Sequence, residues 1–160
     1  MKIMKYYWPI LIAFVLFPCQ LESFAGENND PGKRFSTVVT GVILDSQTGL
    51  MWSTKDNGAD IDWEETEKFC AQFRAGGFQD WRMPTQKELE SLYDPQEKNR
   101  FGFHITSQIN LTTCCPWASD DSLNSAAIFS FRSGKRPWGF KSDTGELRAL
   151  PVRDAKRPLP

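Results

Sequence analysis

One histidine, His104, stands in a chain of 160 residues, and its four cysteines include no Cys-x-x-Cys spacing. A histidine-centred acid–base or nucleophilic site therefore has a single candidate, and no sequence context marks out a partner for it. His104 reads as a surface or loop histidine. A zinc centre is excluded by the same scarcity, since metal-ligand spacing is missing. The sequence also lacks G-x-S-x-G, a phosphate-cradling glycine loop and a dinucleotide fingerprint, which leaves little basis for an enzyme. Charge of one sign is not in excess: the formal net charge is -1, so no general affinity for nucleic acid or an anionic membrane surface is expected. Only one long apolar run exists, which excludes a polytopic membrane protein. What is plentiful is hydrophobic (40%) and aromatic (13%) residues beside 24% charged ones, a globular composition that excludes disorder, a coiled coil and a collagen-like segment.

Residues 1–25 read as an export signal. Lys2 and Lys5 begin it, Trp8 to Leu16 is apolar apart from Pro9, and Ser23-Phe24-Ala25 offers a cleavage site. The run from Tyr6 to Phe17 is short for a bilayer span, and Phe17-Pro18 fits poorly before a lipidated Cys19, so export to the periplasm or medium is expected over anchoring. Residues 26–34 read as a polar linker, 35–156 as one domain and 157–160 as a tail. Without the signal, residues 26–131 carry a net charge of -7 and residues 132–160 a net charge of +5. The two signs can attract one another across the fold, or the basic end can face a sulfated or carboxylated polymer. Loss of Cys19 leaves Cys70, Cys114 and Cys115, an odd number for an oxidising compartment. A disulfide from Cys70 to Cys114 or Cys115 is expected, with a sterically strained Cys114–Cys115 bond as the alternative.

Val38 to Leu44 is rich in β-branched residues and predicts a strand, with a turn over Asp45 to Gly49 and a return strand from Leu50. Asp62 with Glu65 forms a capping-box pattern before Trp63, Phe69, Cys70 and Phe73, and Gly76-Gly77 ends that helix. Thr85 with Glu88 repeats the pattern, Leu89, Leu92 and Tyr93 form the inner face, and Asp94-Pro95 ends the second helix. Both glutamates are explained by backbone N–H groups at their own helix starts. Residues 96–113 read as an irregular loop. Alternation then predicts strands around Ala127–Phe131, Trp138–Lys141 and Leu147–Arg153, and the order of elements predicts an α+β domain with an antiparallel sheet. The oxygen-rich segment Asp56 to Asp62 lacks the spacing of an EF-hand and reads as a polar turn, so no metal or cofactor is expected. Trp52, Trp63 and Trp81 are expected in the core. Trp138, beside Lys135-Arg136-Pro137, is the candidate exposed platform, with Lys141 and Arg148 completing a basic face.

Gly77-Phe78-Gln79-Asp80-Trp81-Arg82-Met83-Pro84-Thr85, continuing to Glu88-Leu89, resembles the D-W-R-[LM]-P-T-x-x-E-L signature of the Lcl C-terminal domain family. Asp45 to Trp52, Trp63 with Cys70, Pro116-Trp117-Ala118-Ser119, Phe131 to Gly134 and Pro151-Val152-Arg153 are similar to further family segments in order. The resemblance implies a C-type-lectin-like α+β fold, two helices flanking a twisted antiparallel sheet. It also implies a structural role for Asp80, Trp81, Arg82, Pro84, Thr85 and Glu88: Trp81 filling the core, Arg82 pairing with a buried carboxylate, Pro84-Thr85 starting the second helix. Asp154 stands where many members carry a second cysteine, which leaves Cys114 or Cys115 as the partner implied for Cys70. The best-known member ends a collagen-like bacterial adhesin and binds sulfated glycans. The E-P-N and W-N-D triplets of calcium-dependent sugar-binding lectins are absent here, so that mode is not implied. The expectation is an exported, non-catalytic binding or adhesion module that recognises an anionic glycan through Lys135, Arg136, Trp138, Lys141 and Arg148. A periplasmic or envelope protein-interaction domain is the alternative, and an oxidase-type lectin-like enzyme using Cys114-Cys115 is the third reading.

Overall fold

The computed structural model of the chain describes residues 33–156. The export signal, Cys19, nearly all of the linker and the tail at 157–160 lie outside the described residues. The β-branched run near the start of the domain folds as a hairpin. Phe35–Val39 (β1) reverses at Thr40-Gly41 into Val42–Asp45 (β2), and Gly41 takes φ 87° at the reversal. The single strand expected over 38–44 is therefore two strands, because a left-handed glycine ends the extended run. Asp45 then fastens the next turn. Its buried carboxylate accepts from Gln47 N–H at 3.0 Å and the Thr48 hydroxyl at 2.8 Å, and it pairs with Arg34 through both oxygens at 2.8 and 2.9 Å. Burial pushes the Asp45 pKa up, but Arg34, Thr48 and Gln47 outweigh it and hold the carboxyl below its ordinary value. Leu50–Ser53 (β3) returns from this turn, and Val152–Asp154 (β8) pairs antiparallel beside it, so the first sheet runs β1-β2-β3-β8.

The second sheet runs β6-β5-β4-β7, built from Cys115–Asp121 (β4), Ser125–Ile128 (β5), Trp138–Phe140 (β6) and Leu147–Arg148 (β7). Its β4–β7 pair is parallel. The last strand expected over 147–153 is thus split between the two sheets. Pro151, with no N–H to continue a ladder, lies at the crossing and accepts from Ser53 N–H at 3.0 Å. The central strand β4 is not foreshadowed by alternation, because Pro116, Trp117 and Ala118 are buried in succession. Among the described residues the structure is α+β, two α-helices with two four-stranded sheets.

Both helices begin where their capping residues place them. Trp63–Gln72 (α1) starts at Asp62, whose carboxylate accepts from Glu65 N–H at 2.8 Å. Gln86–Ser91 (α2) starts at Thr85 with the reciprocal Thr85–Glu88 capping box complete. Two apolar clusters fill the interior. One joins Trp52, Leu89, Leu92, Phe129, Phe131 and Leu150 to Ile105, Ile109 and Leu111 of the 96–113 loop. The other joins Met83, Trp117, Ala126, Ile128 and Leu147 to Cys70 of α1.

The cysteine expectation is corrected here. Cys114 is bonded to Cys115, and Cys70 is a free thiol, fully buried in the second cluster. Apolar surroundings push the Cys70 pKa up to about 12, so the residue behaves as a small core hydrophobe.

The buried tryptophans differ in what their indole N–H groups reach. Trp117 donates to the Ile61 carbonyl at 3.0 Å, whereas Trp52 Nε1 is buried without a partner. Replacement of Trp117 by Phe is expected to lower unfolding free energy more than Trp52→Phe, by about 1 kcal/mol, since only the former breaks a bond. Urea unfolding of the two variants measures the difference.

Candidate functional site

The segment Asp80–Thr85 lies between the helices and against β8, and its side chains are engaged there. Arg82 N–H donates to the Val152 carbonyl at 2.9 Å and Val152 N–H returns to the Arg82 carbonyl at 3.0 Å. Asp80 grips the almost fully buried Arg153 at 2.7 and 3.2 Å, and Phe78 lies 4.0 Å beneath that guanidinium. Trp81 is buried, donates to the Ala75 carbonyl at 3.2 Å and meets Phe73 edge-on at 5.1 Å. Arg82 holds Glu88 through two bonds of 2.7 and 2.8 Å, with Asp154 at 3.5 Å. Glu88 also accepts from Thr85 N–H at 2.8 Å. Burial pushes the Glu88 pKa up, but Arg82 and Thr85 outweigh it and hold it below its ordinary 4.5, while Glu88 raises that of Arg82. This segment is a clamp whose charged side chains are paired, although the Arg82 side chain stays 36% exposed beside a groove lined by Trp81, Met83 and Thr85.

The five residues expected to form a basic face do not act together. Arg148 is withdrawn: it is buried, ion-paired with Asp60, 4.0 Å from Asp56 and bonded to Thr112 at 3.2 Å. The Arg148 hydrogen bond lowers the Asp60 pKa. Lys141 pairs with Asp121 at 2.6 Å and lies 4.3 Å over the Trp63 ring. Arg136 meets Glu90 at 3.1 Å in an exposed pair, which is weak and salt-screened. Lys135 is exposed in the turn before β6 and forms no ion pair among the described residues. Much of the +5 segment is therefore matched by the acidic body. His104 lies apart, its Nδ1 3.2 Å from the Glu97 carbonyl and its ring against Tyr93.

Trp138 is where a platform was expected, and the structure adds two side chains the sequence reading omitted. In β6 the register with β5 pairs Trp138 with Ala127, Gly139 with Ala126 and Phe140 with Ser125. Gly139 faces inward, where a Cβ would come within 2.9 Å of Ile128 Cδ1 and 3.4 Å of Trp117. A side chain there would have to displace the end of Ile128 and crowd Asp143, while the neighbours of Gly139 along the strand point outward: Trp138 is 51% and Phe140 67% exposed. Leu123, in the β4–β5 turn, is 88% exposed and joins Phe140 and Lys141 along a groove of about 440 Å³. The period of two from Trp138 to Phe140 was a usable signal; nothing local identified Leu123. The β6 edge is closed at Phe140, whose N–H donates to Asp143 Oδ2 at 2.9 Å and whose carbonyl accepts from Asp143 N–H at 2.8 Å. Contact with a partner here falls to side chains and not to an added strand.

The clamp and the Asp45 turn both carry a pH dependence. Glu88 and Asp45 have folded-state pKa values below their unfolded ones, so their stabilisation is present above about pH 4.5 and is lost as pH falls through the folded values. Unfolding free energy is expected to fall on acidification from pH 5 to pH 3, and Glu88→Gln to flatten that fall while lowering stability at pH 7. Urea titrations across this range check both directions.

Comparison with known families places residues 41–153 within the model of the Lcl C-terminal domain, which covers most of the chain. The chain belongs to that family. No curated protein matches it.

Proposed function

We propose that this Lcl C-terminal domain is an exported, non-catalytic binding module that holds an anionic glycan against the outer face of β6. The supporting observation is the paired exposure of Trp138 and Phe140 on one strand face, either side of the inward Gly139. Flat rings at this spacing suit the apolar faces of sugar rings. Lys135 and Arg136 precede the strand and Lys141 follows it, so cations border the rings on both sides. Arg136 and Lys141 exchange weak exposed partners for the ligand's sulfate or carboxylate groups, whereas Arg148, engaged in the interior, takes no part. Export through residues 1–25 belongs to the same reading.

A second reading is supported by Leu123. An aliphatic side chain beside Phe140 adds nothing to sugar stacking but extends an apolar patch that an envelope protein could cover.

Chromatography on immobilised heparin with a salt gradient tests the first reading. Trp138→Ala is expected to elute at lower salt than the wild type, Lys135→Ala plus Arg136→Ala lower still, and Leu123→Ser unchanged. Retention that survives all three of Trp138→Ala, Lys135→Ala and Arg136→Ala rejects the glycan reading. A wild type that is not retained at all favours the protein partner.

A further inference from the structure

A second groove, sharing no lining residue with the β6 face, lies between α1 and the 96–113 loop. It has a volume of about 390 Å³, within the range of small-ligand sites. Phe69 on α1 and Phe73, the residue that caps its C-terminus, form an apolar wall with ring centroids 5.9 Å apart. Lys55, Arg100 and Asn110 reach the same groove from the loops. Among the described residues neither Lys55 nor Arg100 forms an ion pair, and the Asn110 side chain forms no hydrogen bond.

Buried polar residues hold these groups in place. Asn99, within the loop itself, is buried, and its Oδ1 accepts from Phe101 and Phe103 N–H at 3.0 and 3.2 Å. Its Nδ2 donates to the Ile109 and Leu111 carbonyls at 3.1 and 3.0 Å. Arg100 therefore projects from a turn fixed on both sides, with its guanidinium 4.7 Å over the Phe101 ring. Lys55 and Asn110 are bridged in parallel, and Asn110 N–H donates to the Thr54 carbonyl at 2.8 Å. The acid in the lining, Asp56, is engaged: it accepts from Gly58 N–H, Thr112 N–H and the Thr112 hydroxyl, and Arg148 lies 4.0 Å away. Its side chain is 1% exposed, so the two cations set the sign of the open groove.

We propose that this groove binds a small aromatic carboxylate, its ring against Phe69 and Phe73 and its carboxylate held by Arg100 and Lys55, with Asn110 as a third polar contact. Arginine presents a planar fork that matches a carboxylate, and ring-on-ring packing supplies the apolar contact. A bare inorganic anion would leave the phenylalanine wall unused. A glycan would bring many hydroxyl groups to a wall whose one free side-chain amide is Asn110.

Titration of phenylacetate into isotope-labelled protein, followed by amide shifts in NMR, is the test, with 2-phenylethanol as the uncharged analogue. The expected result is saturable shifts at Lys55, Arg100 and Asn110, with weaker binding of the alcohol. The double variant Lys55→Ala, Arg100→Ala is expected to bind phenylacetate roughly tenfold more weakly, with a spectrum otherwise superimposable on the wild type. Trp138→Ala is expected to bind it unchanged, which separates this groove from the β6 face. Absence of saturable shifts at these three residues, equal binding of the alcohol, or wild-type affinity in the double variant overturns the proposal.

Discussion

The contact on which the domain depends is the attachment of the Asp80–Thr85 segment to β8. A reciprocal main-chain bridge joins Arg82 to Val152, and the Asp80 carboxylate meets Arg153 in the interior. Burial of a guanidinium is costly unless its charge and donors are matched, so Arg153 tolerates little variation in its partner. The same short segment places Trp81 in the core, sends Arg82 to Glu88 and lets Thr85 and Glu88 start α2. Because β8 pairs with β3 while β7, just upstream, pairs with β4, this attachment also helps fix how the two sheets meet.

Electrostatic pairing then decides which charges remain for recognition. The acidic body and the basic C-terminal segment are joined by Asp60–Arg148, Asp80–Arg153, Asp121–Lys141 and Glu90–Arg136. These range from interior to exposed, and their availability follows that order. Arg148 and Arg153 serve the fold; Lys141 and Arg136 can exchange partners; Lys135, Lys55 and Arg100 hold no ion pair among the described residues. A net charge of +5 over a segment thus says little about a basic face until the partners of each residue are known.

Local rules foretold local structure well. Both helix starts follow from Asp62 and Thr85, because a capping carboxylate or hydroxyl acts on N–H groups two or three residues away. The turn at Asp45 and the core roles of Trp52 and Trp81 were legible for similar reasons. The prediction failed where a residue's role depended on distant chain. Strand β4 lacks alternation because both its faces are covered, and the segment 147–153 divides between sheets that the sequence alone does not distinguish. The cysteine pairing failed likewise, since Cys70 lies on the inner face of α1, where apolar neighbours and not a sulfur fill its surroundings.

The D-W-R-M-P-T motif with its flanking segments determined the family, and the capping residues Asp62 and Thr85 determined where both helices start. Those properties reside in residue identity and short spacing, which a sequence displays directly. The tertiary structure alone decided that Arg148 is interior, that Leu123 joins Phe140 and Lys141 along one groove, and that Lys55 and Arg100 line another groove with Phe69 and Phe73. Each of these brings together residues far apart in the chain, and only the packing of sheets, helices and the long loop sets such distances.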